Sequence, residues 1–168
     1  MSKERLLLVG AGGFGRVVSE LARQSYDCAF VDDGVEIGTA ICDIPVIGHT
    51  EDLQELFTEY QNLIIAIGNN AVRERIYDMA KSIGYRFPNL ISPSAYISPY
   101  AKLGWGCVVL NNVVVQNGST VGNGVLLNHQ AVAVSRGDTD IWLGVDVVPA
   151  PQPRGNGVLV GAADVDTL

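Results

Sequence analysis

The fold of the C-terminal half follows from residues 91–128, which read ISPSAYISPYAKLGWGCVVLNNVVVQNGSTVGNGVLLN. Every sixth residue of this stretch is aliphatic: Ile91, Ile97, Leu103, Val109, Val115, Val121 and Leu127. Four positions after each comes a small or β-branched residue, and glycine, asparagine and proline fill much of the rest. A six-residue period of this kind is typical of a parallel β-helix, in which three short strands make one coil of a triangular prism. An antiparallel β-sandwich would space its apolar residues irregularly. The pattern therefore predicts a short left-handed parallel β-helix.

The repeat loses its phase after residue 133. Residues 135–138 interrupt the repeat. The aliphatic positions resume at Ile141 and Val147, two residues later than the six-residue period requires. Such an interruption is either an extruded loop or a local decay of the repeat. We therefore expect a β-helix domain over residues 91–168 that is irregular from about residue 134.

Residues 1–90 follow a different pattern, in which short apolar runs alternate with helical stretches. Apolar runs at residues 6–9, 28–31 and 63–67 read as strands, and residues 44–47 form a further short apolar stretch. Helical periodicity occupies residues 16–24, 52–59 and 71–83. Gly84 is placed to end the last of these helices. Strands separated by helices imply βαβ units, so this half is predicted to be a Rossmann-like α/β domain with a parallel sheet.

Charge and composition argue against several classes of function. The formal net charge of −7 opposes nucleic-acid binding, because neutralising phosphates needs a basic surface. No apolar run approaches the roughly 20 residues of a membrane span, and nothing resembles a signal peptide. Three scattered cysteines without a CxxC pair suggest neither a disulfide framework nor a zinc site. These features predict a cytoplasmic protein without a bound metal.

The first candidate site is a GxGxxG sequence, residues 10–15, between a predicted strand and a predicted helix. Backbone amides at the start of such a helix hold phosphate, and an acidic residue about twenty positions later binds ribose hydroxyls. Asp32, at the end of the second predicted strand, has this spacing. The alternative is a tight turn that needs glycine for packing alone, with Asp32, Asp33 and Gly34 forming a polar turn.

Three further positions have possible roles in binding or chemistry. Gly68 follows the strongest predicted strand, at the sheet edge where ligands bind in open parallel sheets. The asparagines after it, Asn69 and Asn70, are explained by helix capping alone. His49 is expected to have a surface role. His129 lies two residues after an aliphatic repeat position, and histidine has a pKa suited to a general base, although such a residue on a β-helix is more often simply solvated.

An α/β nucleotide-binding domain joined to hexapeptide repeats is an uncommon pairing. With it, the chain resembles the NeuD/PglD-type sugar acyltransferases, which acetylate sialic acids or the amino groups of nucleotide-linked sugars using acetyl-CoA. The matching stretches occur in the family's order over roughly residues 5–132. They are residues 10–15, 30–33, 66–70, 73–77, 89–95 and 122–128.

The resemblance implies a binding site, a co-substrate and an assembly. It assigns contacts with a nucleotide-sugar to Gly12, Gly13, Phe14, Asp32, Asp33 and Gly68. Family members commonly have histidine where Phe14 stands, so that contact is changed. The resemblance also implies a homotrimer that holds acetyl-CoA between adjacent β-helices, with reaction at the subunit interface.

The sequence departs from the family after Asn128. The family's His-Asp/Glu-Cys segment follows that point, and its histidine deprotonates the acceptor amine or hydroxyl. Counting forward from Asn128 places this histidine at Ser135, whereas counting back from Pro149 places it at Gly137. A second family histidine, near the acetyl-CoA, corresponds to Asp146. The expected base is thus absent, and His129 is the candidate to replace it.

Three hypotheses remain from the sequence. The leading one is an acetyltransferase that acts on a UDP-amino sugar or a sialic acid by direct attack of the sugar nitrogen or oxygen on the thioester of acetyl-CoA, and that is impaired by loss of the family's histidine. The second is a catalytically inactive module that binds a nucleotide-sugar or serves trimeric assembly. The third is an NAD-dependent oxidoreductase, suggested by the GxGxxG and Asp32 but opposed by a β-helix in place of a substrate domain.

Overall fold

The structure is a computed structural model that describes residues 3–133. The chain divides into two compact units, of which the first is Met1–Pro88 and the second begins at Asn89. The predictions made for residues 134–168, including the irregular repeat and the role of Asp146, lie outside the described residues. Within residues 3–133, no helix combines the length and the apolar character needed to cross a bilayer.

The first unit is built on a five-stranded sheet with the order β3-β4-β2-β1-β5. Its strands are β1 (Glu4–Val9), β2 (Tyr26–Val31), β3 (Ala40–Ile41), β4 (Ile44–Gly48) and β5 (Asn62–Ile65). Neighbours run parallel except β3, which pairs antiparallel with β4. The helices are α1 (Gly13–Ala22), α2 (Leu53–Leu56) and α3 (Asn70–Ile83). This architecture confirms the predicted Rossmann-like parallel sheet.

The apolar runs of the sequence form the middle of this sheet. β1 lies between β2 and β5, and its residues Leu6, Leu7, Leu8 and Val9 are fully buried. A central parallel strand is covered on both faces, so it is apolar throughout rather than alternating. Helix α3 begins after Asn69, whose side chain accepts a hydrogen bond from the backbone N–H of Val72, and it ends at Gly84 with a φ of 112°.

Three local features differ from the prediction. Helix α1 begins at Gly13 instead of residue 16, because the glycine turn leads directly into it. A 3₁₀ turn at Thr50–Asp52 precedes α2, which reduces the predicted helix over residues 52–59 to four residues. The hairpin of β3 and β4 was not predicted. Its two turn residues, Cys42 and Asp43, have φ values of 52° and 62°, and Cys-Asp lacks the glycine that usually signals such a turn.

The second unit is a β-helix with strands of two residues each. These strands are β6 (Leu90–Ile91), β7 (Tyr96–Ile97), β8 (Lys102–Leu103), β9 (Val108–Val109), β10 (Val114–Val115), β11 (Thr120–Val121), β12 (Leu126–Leu127) and β13 (Val132–Ala133). They stack into three parallel sheets, β6-β9-β12, β7-β10-β13 and β8-β11. One coil therefore takes three strands, as the hexapeptide period predicted.

Aliphatic and small side chains fill the interior of the prism. The buried cluster contains repeat positions such as Val109, Val115 and Leu127 together with the small positions Cys107 and Ala131. Backbone bonds join successive coils, for example from the Val108 N–H to the Val125 carbonyl. The described coils thus confirm the predicted β-helix fold.

The corners of the prism need unusual backbone conformations. At five corners of the coils up to residue 133 the second turn residue has a positive φ: Gly106, Asn112, Gly118, Gly124 and Gln130. The two corners that begin with proline, at residues 93–94 and 99–100, avoid it, because proline at the first turn position suits a turn with negative φ throughout. Most of these left-handed positions are glycine or asparagine, which adopt a positive φ readily, whereas Gln130 is neither.

Candidate functional site

The candidate site of the first unit lies at the carboxyl ends of β1, β2, β4 and β5. From β1 the chain moves to β2 and β4 on one side of the sheet and then returns to β5 on the other. β1 and β5 therefore flank the point where the strand order reverses, and open parallel sheets bind ligands in the crevice at that point. We use the word crevice for the space beside the loops that follow these two strands, residues 10–13 and 66–69.

The glycines of these loops fall into two groups. A Cβ on Gly10 would lie 2.8 Å from the Ala66 carbonyl oxygen, and one on Gly15 would lie 1.9 Å from the Gly10 carbonyl oxygen. These two glycines are required for close backbone packing. In contrast, a Cβ on Gly12, Gly13 or Gly68 would meet no described residue within 4 Å other than its chain neighbours. The structure therefore leaves space at the three glycines that the sequence analysis assigned to ligand binding.

The first helical turns beside this crevice favour an anion. Helix α1 begins at Gly13 and has no acidic residue in its first turn, and the same holds for α3. Free N–H groups and the dipole at a helix N-terminus attract negative charge, which an acidic side chain would oppose. Phe14, half-buried in the first turn of α1, adds an apolar surface.

The two aspartates tie the loops of the site together. One Asp32 oxygen accepts a hydrogen bond from the Ala11 N–H at 2.7 Å, and the other accepts from the Gly34 N–H at 2.8 Å. Asp33 accepts from both the N–H and the hydroxyl of Thr50, at 2.7 and 2.8 Å. A carboxylate oxygen can accept a second hydrogen bond, so these ties remain compatible with contacts to a ligand hydroxyl.

Arg73 is a feature of the site that the sequence analysis missed as an individual residue. Its side chain is 2% exposed, and one guanidinium nitrogen donates to the Ile67 and Gly68 carbonyls at 2.7 and 3.2 Å. The other donates to the Asn70 side-chain oxygen at 2.7 Å. The available signal was its position on the apolar stripe of the helix, since it lies three and four residues before the buried Ile76 and Tyr77.

In the second unit, His129 lies at an exposed corner of the β-helix. The backbone N–H of its neighbour Gln130 donates to the Asn111 carbonyl at 3.0 Å, so corners one coil apart are stacked. The adjoining sheet, β7-β10-β13, aligns Tyr96, Val114 and Val132 in register. Tyr96 and Val132 are 59% and 40% exposed. His129 therefore sits beside an exposed apolar strip.

The cysteines have no feature of a reactive site. All three are free, and Cys42 is exposed. Burial raises the pKa of the half-buried Cys28 to about 11, with nearby Asp27 contributing in the same direction. Burial also raises the pKa of the Cys107 thiol, whose sulfur donates to the Gly122 carbonyl at 3.1 Å. Thiols with raised pKa values are poor nucleophiles.

The first unit matches a known family, the PglD N-terminal domain, over residues 5–80. Among solved structures, the acetyltransferase domain of PglB from Neisseria gonorrhoeae FA1090, in complex with acetyl coenzyme A, is 38% identical to this chain with a TM-score of 0.71. The match covers 83% of this chain and 66% of that one.

Two further solved structures are similar. A mutant of perosamine N-acetyltransferase from Caulobacter crescentus, in complex with CoA and GDP-perosamine, is 32% identical with a TM-score of 0.71, covering 76% of this chain and 61% of that one. WeeI from Acinetobacter baumannii AYE has a TM-score of 0.73 at 24% identity over 83% of this chain, which shows a shared fold. The chain spans 61% to 67% of the length of these three proteins.

Proposed function

Because this chain belongs to the NeuD/PglD-type family of sugar acyltransferases, we propose that it transfers the acetyl group of acetyl-CoA to an amino sugar linked to a nucleotide. The observation that carries this proposal is the open crevice at Gly12, Gly13 and Gly68 in a chain that also contains a β-helix. GDP-perosamine and acetyl coenzyme A, bound in two similar structures, are the models for substrate and co-substrate. A sialic acid is the other acceptor class.

The proposed binding mode places the nucleotide end of the substrate in the crevice of the first unit. Backbone amides near Gly12 and Gly13 bind its phosphates, which explains how a chain with net charge −7 can hold an anion. Asp32 and Asp33 use their remaining acceptor sites for hydroxyl or base N–H groups. Phe14 offers its ring as an apolar contact.

The proposed chemistry is direct transfer. The sugar nitrogen attacks the thioester carbonyl carbon, the new C–N bond forms, and the C–S bond breaks as CoA leaves as a thiolate. A base takes the proton that the nitrogen loses, and the CoA thiolate takes up a proton from solvent. We propose His129 as that base, since it is exposed and histidine titrates near neutral pH.

The proposed assembly is a homotrimer joined through the β7-β10-β13 sheet. Its outward residues Tyr96, Val114 and Val132 form the apolar strip, whereas the β8-β11 sheet presents the more polar Lys102 and Thr120. An exposed apolar strip is a common mark of a protein interface. This arrangement places His129 at the edge of the interface. We also propose that Asp146 lies beside the bound acetyl-CoA. The proposed location of the protein is the cytoplasm.

A second candidate function is an inactive nucleotide-sugar-binding or assembly module. The observation that favours it is the absence of histidine at both Ser135 and Gly137, the two positions that the family pattern offers for the base. Such a module keeps the crevice and the β-helix but not the proton transfer.

The test is acetyl transfer from acetyl-CoA to a panel of UDP- and GDP-linked amino sugars and sialic acids, read by product mass. We expect a product, and we expect His129→Gln to lower its rate by about 10²- to 10⁴-fold, the usual contribution of a positioned base. Lys102→Gln, at an exposed position of the β8-β11 sheet, is the control and should change the rate little. Product formed equally well by His129→Gln would exclude His129 as the base. No product, with nucleotide-sugar binding intact, would favour the inactive module.

A further inference from the structure

The buried arginine of helix α3 is not explained by the stability of that helix. Arg73 shares its face with the buried residues Ile76, Tyr77 and Ala80, where an apolar side chain would avoid the cost of taking a guanidinium out of water. It also lies near the N-terminal end of α3, where the helix dipole disfavours a positive charge. A residue that breaks two local rules at once indicates a functional position.

The hydrogen bonds of Arg73 act on the loop after β5. Its guanidinium donates hydrogen bonds to the carbonyls of Ile67 and Gly68 and to the side chain of Asn70. It therefore holds the loop at three of four consecutive residues. Gly68, Asn69 and Asn70 are themselves exposed, so water would satisfy this loop if Arg73 were absent. The arginine is therefore not required to satisfy the loop. It selects one conformation of it.

That conformation has a defined consequence for the amides. In a trans peptide the C=O and N–H bonds point in opposite directions. Because the Ile67 and Gly68 carbonyls point toward Arg73, the N–H groups of Gly68 and Asn69 point away from it. Neither N–H donates to any residue in the part of the chain that the structure describes. Apart from its chain neighbours, no residue of 3–133 comes within 4 Å of where a Gly68 Cβ would stand, so these residues leave open the space beside this loop.

We propose that Arg73 is a positioning residue that presents the Gly68 and Asn69 amides to the phosphate groups of the nucleotide-sugar. This inference rests on the proposed function of the crevice and assigns to it the element that shapes its β5 side. The guanidinium fork is required, because a lysine carries the same charge but cannot hold two carbonyls and an amide oxygen in one plane.

The test compares Arg73→Lys with the control Arg75→Lys, an exposed arginine on the same helix. Far-UV circular dichroism and the melting temperature first establish that both variants are folded. Binding of UDP and GDP is then measured by calorimetry. We expect Arg73→Lys to weaken the binding of the nucleotide that the wild type prefers by about tenfold, the loss of one or two charge-directed hydrogen bonds. We expect the KM for acetyl-CoA to stay within twofold of the wild type. Arg75→Lys should bind as the wild type does.

A second measurement, made without ligand, separates this inference from the proposed function. The heteronuclear NOE of the Gly68 and Asn69 amides reports whether the loop is held. We expect it to fall in Arg73→Lys and to stay at the wild-type level in Arg75→Lys. If the NOE and the nucleotide affinity are both unchanged in Arg73→Lys, the positioning role is overturned. If the NOE falls in Arg73→Lys but the wild type binds neither UDP nor GDP, Arg73 holds the loop and the proposed nucleotide site is wrong. The role of Arg73 in nucleotide binding is then overturned as well.

Should Arg73→Lys be unfolded, Asn70→Ala removes one of the three bonds from the exposed side of the loop. It is expected to weaken nucleotide binding in the same direction by a smaller factor. Unchanged binding in Asn70→Ala, together with an unfolded Arg73→Lys, would assign Arg73 to the fold and overturn the proposal.

Discussion

At the scale of the residue, the glycine loop shows that one motif contains positions with opposite requirements. Gly15 has no room for a Cβ, because the Gly10 carbonyl oxygen occupies that space. Gly13 begins helix α1 and has open space in front of it. Both glycines lie within residues 10–15, yet packing requires Gly15, whereas the fold leaves room for a side chain at Gly13.

This difference predicts different effects of the same substitution. Gly15→Ala should lower the free energy of unfolding by about 1–3 kcal/mol, the usual cost of overpacking, or more if the helix cannot move. Gly13→Ala should leave that free energy within about 1 kcal/mol of the wild type, because alanine suits a helix at least as well as glycine. Its methyl group nevertheless enters the crevice, so UDP or GDP should bind more weakly. Urea denaturation and calorimetry measure the two effects. A Gly13→Ala protein with wild-type affinity would show that no ligand approaches this loop.

At the scale of the element, the β-helix separates inward from outward positions with a six-residue period. Each strand has only two residues, so its stability comes from stacking on the coils above and below it rather than from the strand itself. The repeat position Leu127 is 1% exposed and belongs to the buried cluster, whereas Ile91, the first aliphatic of the ladder, is 41% exposed. Equivalent positions in the sequence are thus unequal in the fold.

We therefore expect the cost of truncation to depend on the coil. Leu127→Ala should lower the free energy of unfolding by about 2–5 kcal/mol, since it removes a buried side chain and leaves a cavity. Ile91→Ala should lower the free energy of unfolding by less, because the Ile91 side chain buries a smaller apolar area. Chemical denaturation followed by circular dichroism compares the two variants. Equal losses would mean that Ile91 is covered in solution.

At the scale of the whole molecule, the proposed function assigns a different role to each of the two units. The first unit supplies the crevice for the nucleotide, and the second supplies His129 and the apolar strip of Tyr96, Val114 and Val132. If the strip is the trimer interface, assembly and acetyl transfer depend on it, whereas nucleotide binding does not.

This division makes assembly testable by one double variant. Tyr96→Glu with Val132→Glu places carboxylates on the strip, and like charges in an interface oppose association. We expect the sedimentation mass to fall from three chains to one chain of 17.9 kDa. Acetyl transfer should be lost while UDP or GDP still binds. Lys102→Glu, on the β8-β11 sheet, is the control and should remain assembled. A wild-type protein that sediments as a monomer would contradict the proposed trimer.

The sequence by itself determined the fold of both halves, because each follows from a periodicity. The six-residue period predicted which residues of the β-helix point inward, and the alternation of apolar runs with helical stretches predicted the parallel sheet. Short-range signals such as Asn69 and Gly84 also predicted the ends of α3. These features depend on contacts that recur at fixed spacing, so the order of residues is enough to reveal them.

Only the tertiary structure decided which residues shape the crevice. That Gly10 and Gly15 are packed while Gly12, Gly13 and Gly68 are open depends on how closely neighbouring segments approach, which no spacing records. The ties of Asp33 to Thr50 and of Arg73 to the loop after β5 are likewise formed in space, the first across 17 residues of sequence. The hairpin at Cys42 and Asp43 was missed because its positive φ values are imposed by the strands it joins rather than preferred by its residues.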